Sequence, residues 1–135
     1  MVTTKSAEMK NLQVAKERYE KRILELENEI YQKTKHVGNK NVLARFDAIE
    51  DKIEDIKTTL DNQLSSNAET YRSEQLAISK KYIASISKSA KSSAKTKENV
   101  TKKNHADAND SSVKCMINNT RAYNSAIRQL SQLKV

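Results

Sequence analysis

The sequence predicts an all-α, elongated fold: an antiparallel coiled-coil-like helical hairpin, with a third C-terminal helix packing on the latter half of a long central helix. Three observations lead there. The chain has one glycine and no proline, too few turn residues for the repeated reversals of a sheet or a compact mixed domain. Charged residues make up 31% and hydrophobic ones 36% of the 135, so apolar side chains cover only narrow stripes. Those stripes recur at three- and four-residue steps, the period of helices meeting along a seam.

The first helix is predicted from about Ser6 to Val37. Its seam carries Met9, Leu12, Tyr19, Ile23, Leu26 and Ile30 at alternating a and d positions, with Lys16 the one polar a position inside. Glu17–Lys21 and Glu29–Lys33 stand four apart in the favourable order and support the exposed face. A turn is expected over 38–41. Gly38 suits a left-handed residue after the helix end, and Asn41 suits the N-cap of the next helix.

The second helix starts at Val42, with Phe46, Ile49, Ile53, Ile56 and Leu60 on its seam. Beyond Leu60 the stripe steps by four, through Leu64, Ala68, Tyr71, Ile78, Tyr82 and Ile86, a stutter that unwinds a coiled coil without ending it. Folding the chain back at the turn sets Ile30 beside Ile49, Leu26 beside Ile53, Ile23 beside Ile56 and Tyr19 beside Leu60. The same register sets Lys16 opposite Gln63, polar layer on polar layer. Residues 1–90 therefore form the hairpin and a spine about 75 Å long at about 1.5 Å per residue.

Residues 88–110 are basic and low in complexity, predicting either a linker or a helical extension. The C-terminal amphipathic helix is placed at 111–135, capped by Asp110, with Met116, Tyr123, Ile127 and Leu130 on its seam. It is expected to fold back on the second helix with Tyr71 near Leu130, Ile78 near Tyr123 and Ile86 near Met116. Leu24, Tyr31, Val42, Leu43, Leu76, Ile83 and Leu133 lie off the seams and offer a second apolar face for association.

Charge divides the chain. Residues 1–70 carry twelve Lys/Arg against thirteen Asp/Glu, and residues 71–135 carry thirteen against four, which together make the net +8. Lys80, Lys81, Lys88, Lys91, Lys95, Lys97, Lys102 and Lys103 make a tract suited to phosphate, with Lys88, Lys91 and Lys95 expected on one helical face. The tract is lysine-rich, has no arginine and has only Tyr82 as an aromatic at its edge. Such a tract holds backbone charge without reading bases.

No catalytic constellation is apparent. One glycine excludes a glycine-rich phosphate loop. His36 and His105 stand in polar stretches, and Cys115 has no histidine near it in sequence. Asp107–Ser112 resembles the start of a calcium loop, but Ser112 stands where glycine is needed and Asn118 where glutamate is needed. The acidic run Asp47, Glu50, Asp51, Glu54 and Asp55 suits the positive end of the second helix. The expectations are no enzyme, no cofactor, no metal and no small-molecule substrate. A lone cysteine, a charged N-terminus and no long apolar run predict a protein neither secreted nor transmembrane, of intracellular or virion setting. The function expected is a structural or assembly subunit meeting its own copies or a helical partner. The alternative is a helical protein that holds nucleic-acid phosphate non-specifically.

Overall fold

A computed structural model describes residues 5–88 and 93–135. It is all-helical: α1 spans Lys5–Thr34, α2 spans Lys40–Lys88 and α3 spans Ala94–Ser131. At about 1.5 Å per residue the 49-residue α2 is about 74 Å long, so the predicted spine is present.

The turn is built differently from expectation. α1 stops at Thr34, whose hydroxyl Oγ1 donates to the Ile30 carbonyl at 2.7 Å. Gly38 has no positive φ, and a Cβ there would meet nothing within 4 Å, so the turn does not use its conformational freedom. The N-cap is Asn39, not Asn41. Its carbonyl accepts from Leu43 N at 3.0 Å, and its Oδ1 accepts from Asn41 N at 2.9 Å. Asn39 is the residue whose amide oxygen stands over the orphan donors of the first turn.

The basic tract is mostly helix. Ser93 caps α3 in an extended conformation, its hydroxyl accepting from Thr96 N at 3.3 Å. Residues from Ala94 onward belong to α3, so Asp110 lies inside that helix instead of capping it. Alanine and lysine favour helix here, and Lys102 pairs with Glu98 one turn before it at 3.0 Å. Lys91 lies outside the described residues.

The helices run up, down and up. Tyr19 meets Tyr123 edge to face at 5.6 Å, and Lys33 Nζ donates to the Val135 carbonyl at 2.6 Å. Numbers rising together on both helices make α1 and α3 parallel. Asn67 with Asn119, Glu74 with Ser111 and Tyr82 with Thr101 make α2 and α3 antiparallel. Thus α3 packs on the latter half of α2 as expected, and also along α1. The expected pairings of Tyr71, Ile78 and Ile86 with Leu130, Tyr123 and Met116 do not form this register. α3 is displaced about four turns towards the first hairpin, and there its Leu130 joins Leu26 and Ile53 in one core.

That core holds Ile23, Leu26, Ile30, Ile53, Ile56, Leu60, Ala122, Ala126 and Leu130. α3 approaches both other helices closely, while α1 and α2 touch each other little. The cause is side-chain size. Ala122 and Ala126 on α3, and Ala15 on α1, are nearly sealed from solvent. Small side chains let helix axes approach, whereas isoleucines and leucines facing one another hold α1 and α2 apart. Across the α1–α2 seam Lys57 pairs with Glu27 at 3.1 Å.

Of the predicted seam residues, Ile23, Leu26, Ile30, Ile53, Ile56, Leu60 and Leu130 are buried. Leu12, Tyr19, Phe46, Ile49, Tyr71, Ile78, Ile86, Met116, Tyr123 and Ile127 are half-buried. Met9 is 54% exposed, contrary to expectation, because Glu8 is the residue turned inward at that level.

An Ala126→Leu substitution should therefore force α3 away from its neighbours and destabilise the protein by about 1–3 kcal/mol, the cost of overpacking a filled site. Urea unfolding followed by helical circular dichroism measures it. An unchanged midpoint would contradict the wedge role of Ala126.

Candidate functional site

Two surfaces and one polar seam carry the chemistry of this chain. The seam joins the latter half of α2 to the first half of α3, where large apolar residues thin out and hydrogen bonds replace them. Gln75 Nε2 donates to the Ala108 carbonyl at 3.2 Å, and Asn67 Nδ2 donates to Asn119 Oδ1 at 3.0 Å. Tyr82 Oη and Thr101 Oγ1 share a hydrogen bond of 3.2 Å. At its centre Glu74 accepts from Ser111 Oγ at 2.6 Å and from Lys114 Nζ at 3.1 Å. The Ser111 hydrogen bond, seconded by Lys114, holds the Glu74 carboxyl below the ordinary carboxylate range.

The catalytic candidates stay apart. His36 follows the end of α1 and His105 sits on α3 far along the chain, both exposed. Cys115 is half-buried, and burial pushes its thiol up, away from the thiolate that a nucleophile requires. Its Sγ faces the Asn67 carbonyl at 3.9 Å and accepts weakly from Asn119 at 3.8 Å, which makes it part of the seam. Burial likewise raises Tyr19 and Tyr123, the edge-to-face pair beside the core. Among the described residues no three of His, Cys, Asp and Glu gather where they could hold a metal ion. No described helix is long and apolar enough to cross a membrane.

The first surface is the basic arm. Beyond the level of Glu74 only α2 and α3 continue among the described residues, and the described members of the lysine tract all stand there: Lys80, Lys81 and Lys88 on α2, and Lys95, Lys97, Lys102 and Lys103 on α3. All seven are exposed. Lys88 ends α2 and Lys95 stands in the first turn of α3, so these two lysines, expected on one helical face, lie on two helices. Lys81 and Lys103 border one shallow groove, together with Tyr82, Val100, Asn104 and the carboxylate residue Asp107. Lysines from both helices thus point at one place, which linear periodicity could not have indicated.

The second surface is apolar and outward-facing. Leu24 is 67% and Tyr31 62% exposed on α1, while Leu76 is 57% and Ile83 64% exposed on α2. Val42, Leu43 and Leu133, expected to share this role, are half-buried instead. Between α1 and α2, where the helices stand apart, two adjoining clefts open. One is lined by Tyr19, Ile23 and Leu24 with Glu20 and Lys57. The other is lined by Ile30, Tyr31 and Ile53 beneath Glu27, Glu50 and Glu54. Sequence reasoning found the exposed residues but not the cleft, because its existence depends on where α3 sits.

The lowered Glu74 carboxyl has a definite pH signature. Its folded value lies below its ordinary 4.5, so its contribution to stability is complete above about pH 4.5 and is lost as pH falls through the folded value. Thermal melting from about pH 6 down to about pH 3 should show a steeper acid loss for the parent than for Glu74→Gln. Parallel curves would remove the assignment.

Comparison with known proteins gives no relative: the chain matches no family model, no curated protein and no solved structure.

Proposed function

We propose that this chain is a non-enzymatic helical assembly subunit that associates with its own copies or with a helical partner inside a larger particle. One observation carries the reading. Two pairs of large apolar residues, Leu24 with Tyr31 and Leu76 with Ile83, stand exposed at seven-residue spacing on the outer faces of two rigid helices. Seven residues are close to two helical turns, so each pair is aligned along its helix as an interface stripe is. Single exposed leucines need no explanation, but repeated aligned ones do. The slender build supports the same reading, since few side chains are sealed in the core and much apolar area stays beside the seams. The dispersed histidines and the half-buried thiol favour a mechanical over a chemical role. A lone unpaired cysteine suits a reducing setting, inside a cell or a virus particle.

Light scattering on a sizing column should find a dimer or larger species at micromolar concentration. Leu24→Ser with Tyr31→Ser should shift it towards monomer without loss of helicity. A parent that stays monomeric and recovers no helical partner would overturn the assembly reading.

A second reading has its own support, the convergence of Lys81 and Lys103 on one groove of an arm crowded with exposed lysines. Under it the arm holds nucleic-acid phosphate without reading sequence. Lysine is a point charge with no fork to match a base edge. Anisotropy with a labelled duplex of mixed sequence should then give affinity falling steeply with salt, by about 0.9 in log slope for each phosphate neutralised. Lys81→Glu with Lys103→Glu should lower that slope by about 2. No binding at low salt would end this reading and leave the first intact.

A further inference from the structure

We infer that the open acidic cleft between α1 and α2 is the socket for the basic arm of a second copy of this chain. The inference rests on the assembly reading and names the two surfaces that meet.

The cleft follows from the packing. α3 lies close against both α1 and α2 on one side, through Ala122 and Ala126, and the opposite side of the α1–α2 seam stays uncovered. Its floor is apolar, with Ile23 and Leu24 in one part and Ile30 and Tyr31 in the next. Its rim carries Glu20, Glu27, Glu50 and Glu54 against the single cation Lys57, which is already engaged by Glu27. An apolar floor under an acidic rim suits a helix face with apolar residues in the middle and cations beside them.

The arm presents such a face. Leu76 and Ile83 project from α2 with the same seven-residue spacing as Leu24 and Tyr31, about 10.5 Å along a helix in each case. Arg72 and Lys80 stand one turn before and after Leu76, and Lys80 also flanks Ile83; both cations are exposed. Neither surface can satisfy the other within one molecule. Ile53 marks the cleft on α2, and Leu76 and Ile83 lie about 35–45 Å further along the same helix. A rigid helix cannot bring two parts of itself together, so the occupant is another copy. Socket and arm are different patches, which makes the contact heterologous. Two copies close it reciprocally, or successive copies extend it.

A charge swap on the full chain tests the pairing. One variant carries Arg72→Glu and Lys80→Glu, which makes the flanks of the Leu76–Ile83 stripe on its arm acidic. The other carries Glu20→Lys and Glu50→Lys, which makes its socket basic; neither glutamate is in an observed ion pair. Each variant alone should lose self-association by tenfold or more at about 0.1 M salt, where exposed charges still act across about 10 Å. Mixed in equal amounts the two should associate again, because acidic arm meets basic socket and basic arm meets acidic socket. Leu76→Ser with Ile83→Ser, on a face exposed in the monomer, should weaken association too, with the helical dichroism of every variant unchanged. Parent-like association of each charge variant alone, or a mixture that stays dissociated while both components remain helical, would overturn this pairing and leave the assembly reading standing. A monomeric parent would overturn the pairing, and the assembly reading falls with it only where no helical partner is recovered either.

Discussion

The close seating of α3 against both other helices is the constraint on which the rest of this structure depends. Ala122 and Ala126 take positions on α3 where a larger side chain would hold the helices apart, and Leu130 then closes the end of the core against Leu26 and Ile53. Everything else follows in sequence. α1 and α2, already bearing bulky isoleucines towards each other, are joined through α3 more than directly. The side of the bundle facing away from α3 is left open as an apolar cleft with an acidic rim.

The same constraint sets where the molecule is three helices thick and where it is two. Parallel to α3, the described part of α1 reaches to about the level of Ser111 and Glu74, and beyond that the described arm consists of α2 and α3. Two helices cannot bury a wide apolar stripe. The arm is held instead by hydrogen bonds such as Tyr82 with Thr101 and Gln75 with the Ala108 carbonyl. Each bond of this kind contributes modestly, roughly 0.5–1.5 kcal/mol, so the arm is the less stable end of the spine. It is also the end that carries the lysines. Packing strength and positive charge are therefore distributed oppositely along one continuous helix.

For function, this separation places two chemistries on one rod without mixing them. Apolar and acidic surface stands at the thick end, and apolar and basic surface stands on the arm. Under the proposed assembly, unlike ends would favour one orientation of joining, because like ends repel. Under the two proposed readings, assembly and phosphate attraction would draw on one set of charges.

The sequence by itself determined the helices, the spine and most of the core. Those properties depend on local quantities: the heptad recurrence of Ile23, Leu26, Ile30, Ile53, Ile56 and Leu60, the absence of proline, and a charge balance that changes along the chain. It also marked Leu24, Tyr31, Leu76 and Ile83 as off-seam, since their angular position on a helix is a local fact too. What only the tertiary structure decided was the third helix: its start at Ala94, its register and its double partnership. Large side chains dominate a periodicity pattern, and there Ile127 and Met116 outweigh Ala122, Ala126 and Ser111. Close approach between helices is governed by the small ones, whose importance appears only when a neighbour is present to use the space. Asn39 instead of Asn41, and Glu8 instead of Met9, are smaller cases of the same kind, where a neighbour one or two residues away was better placed for the role. The cleft was invisible in sequence for that reason, being a space defined by three helices and encoded in none of them alone.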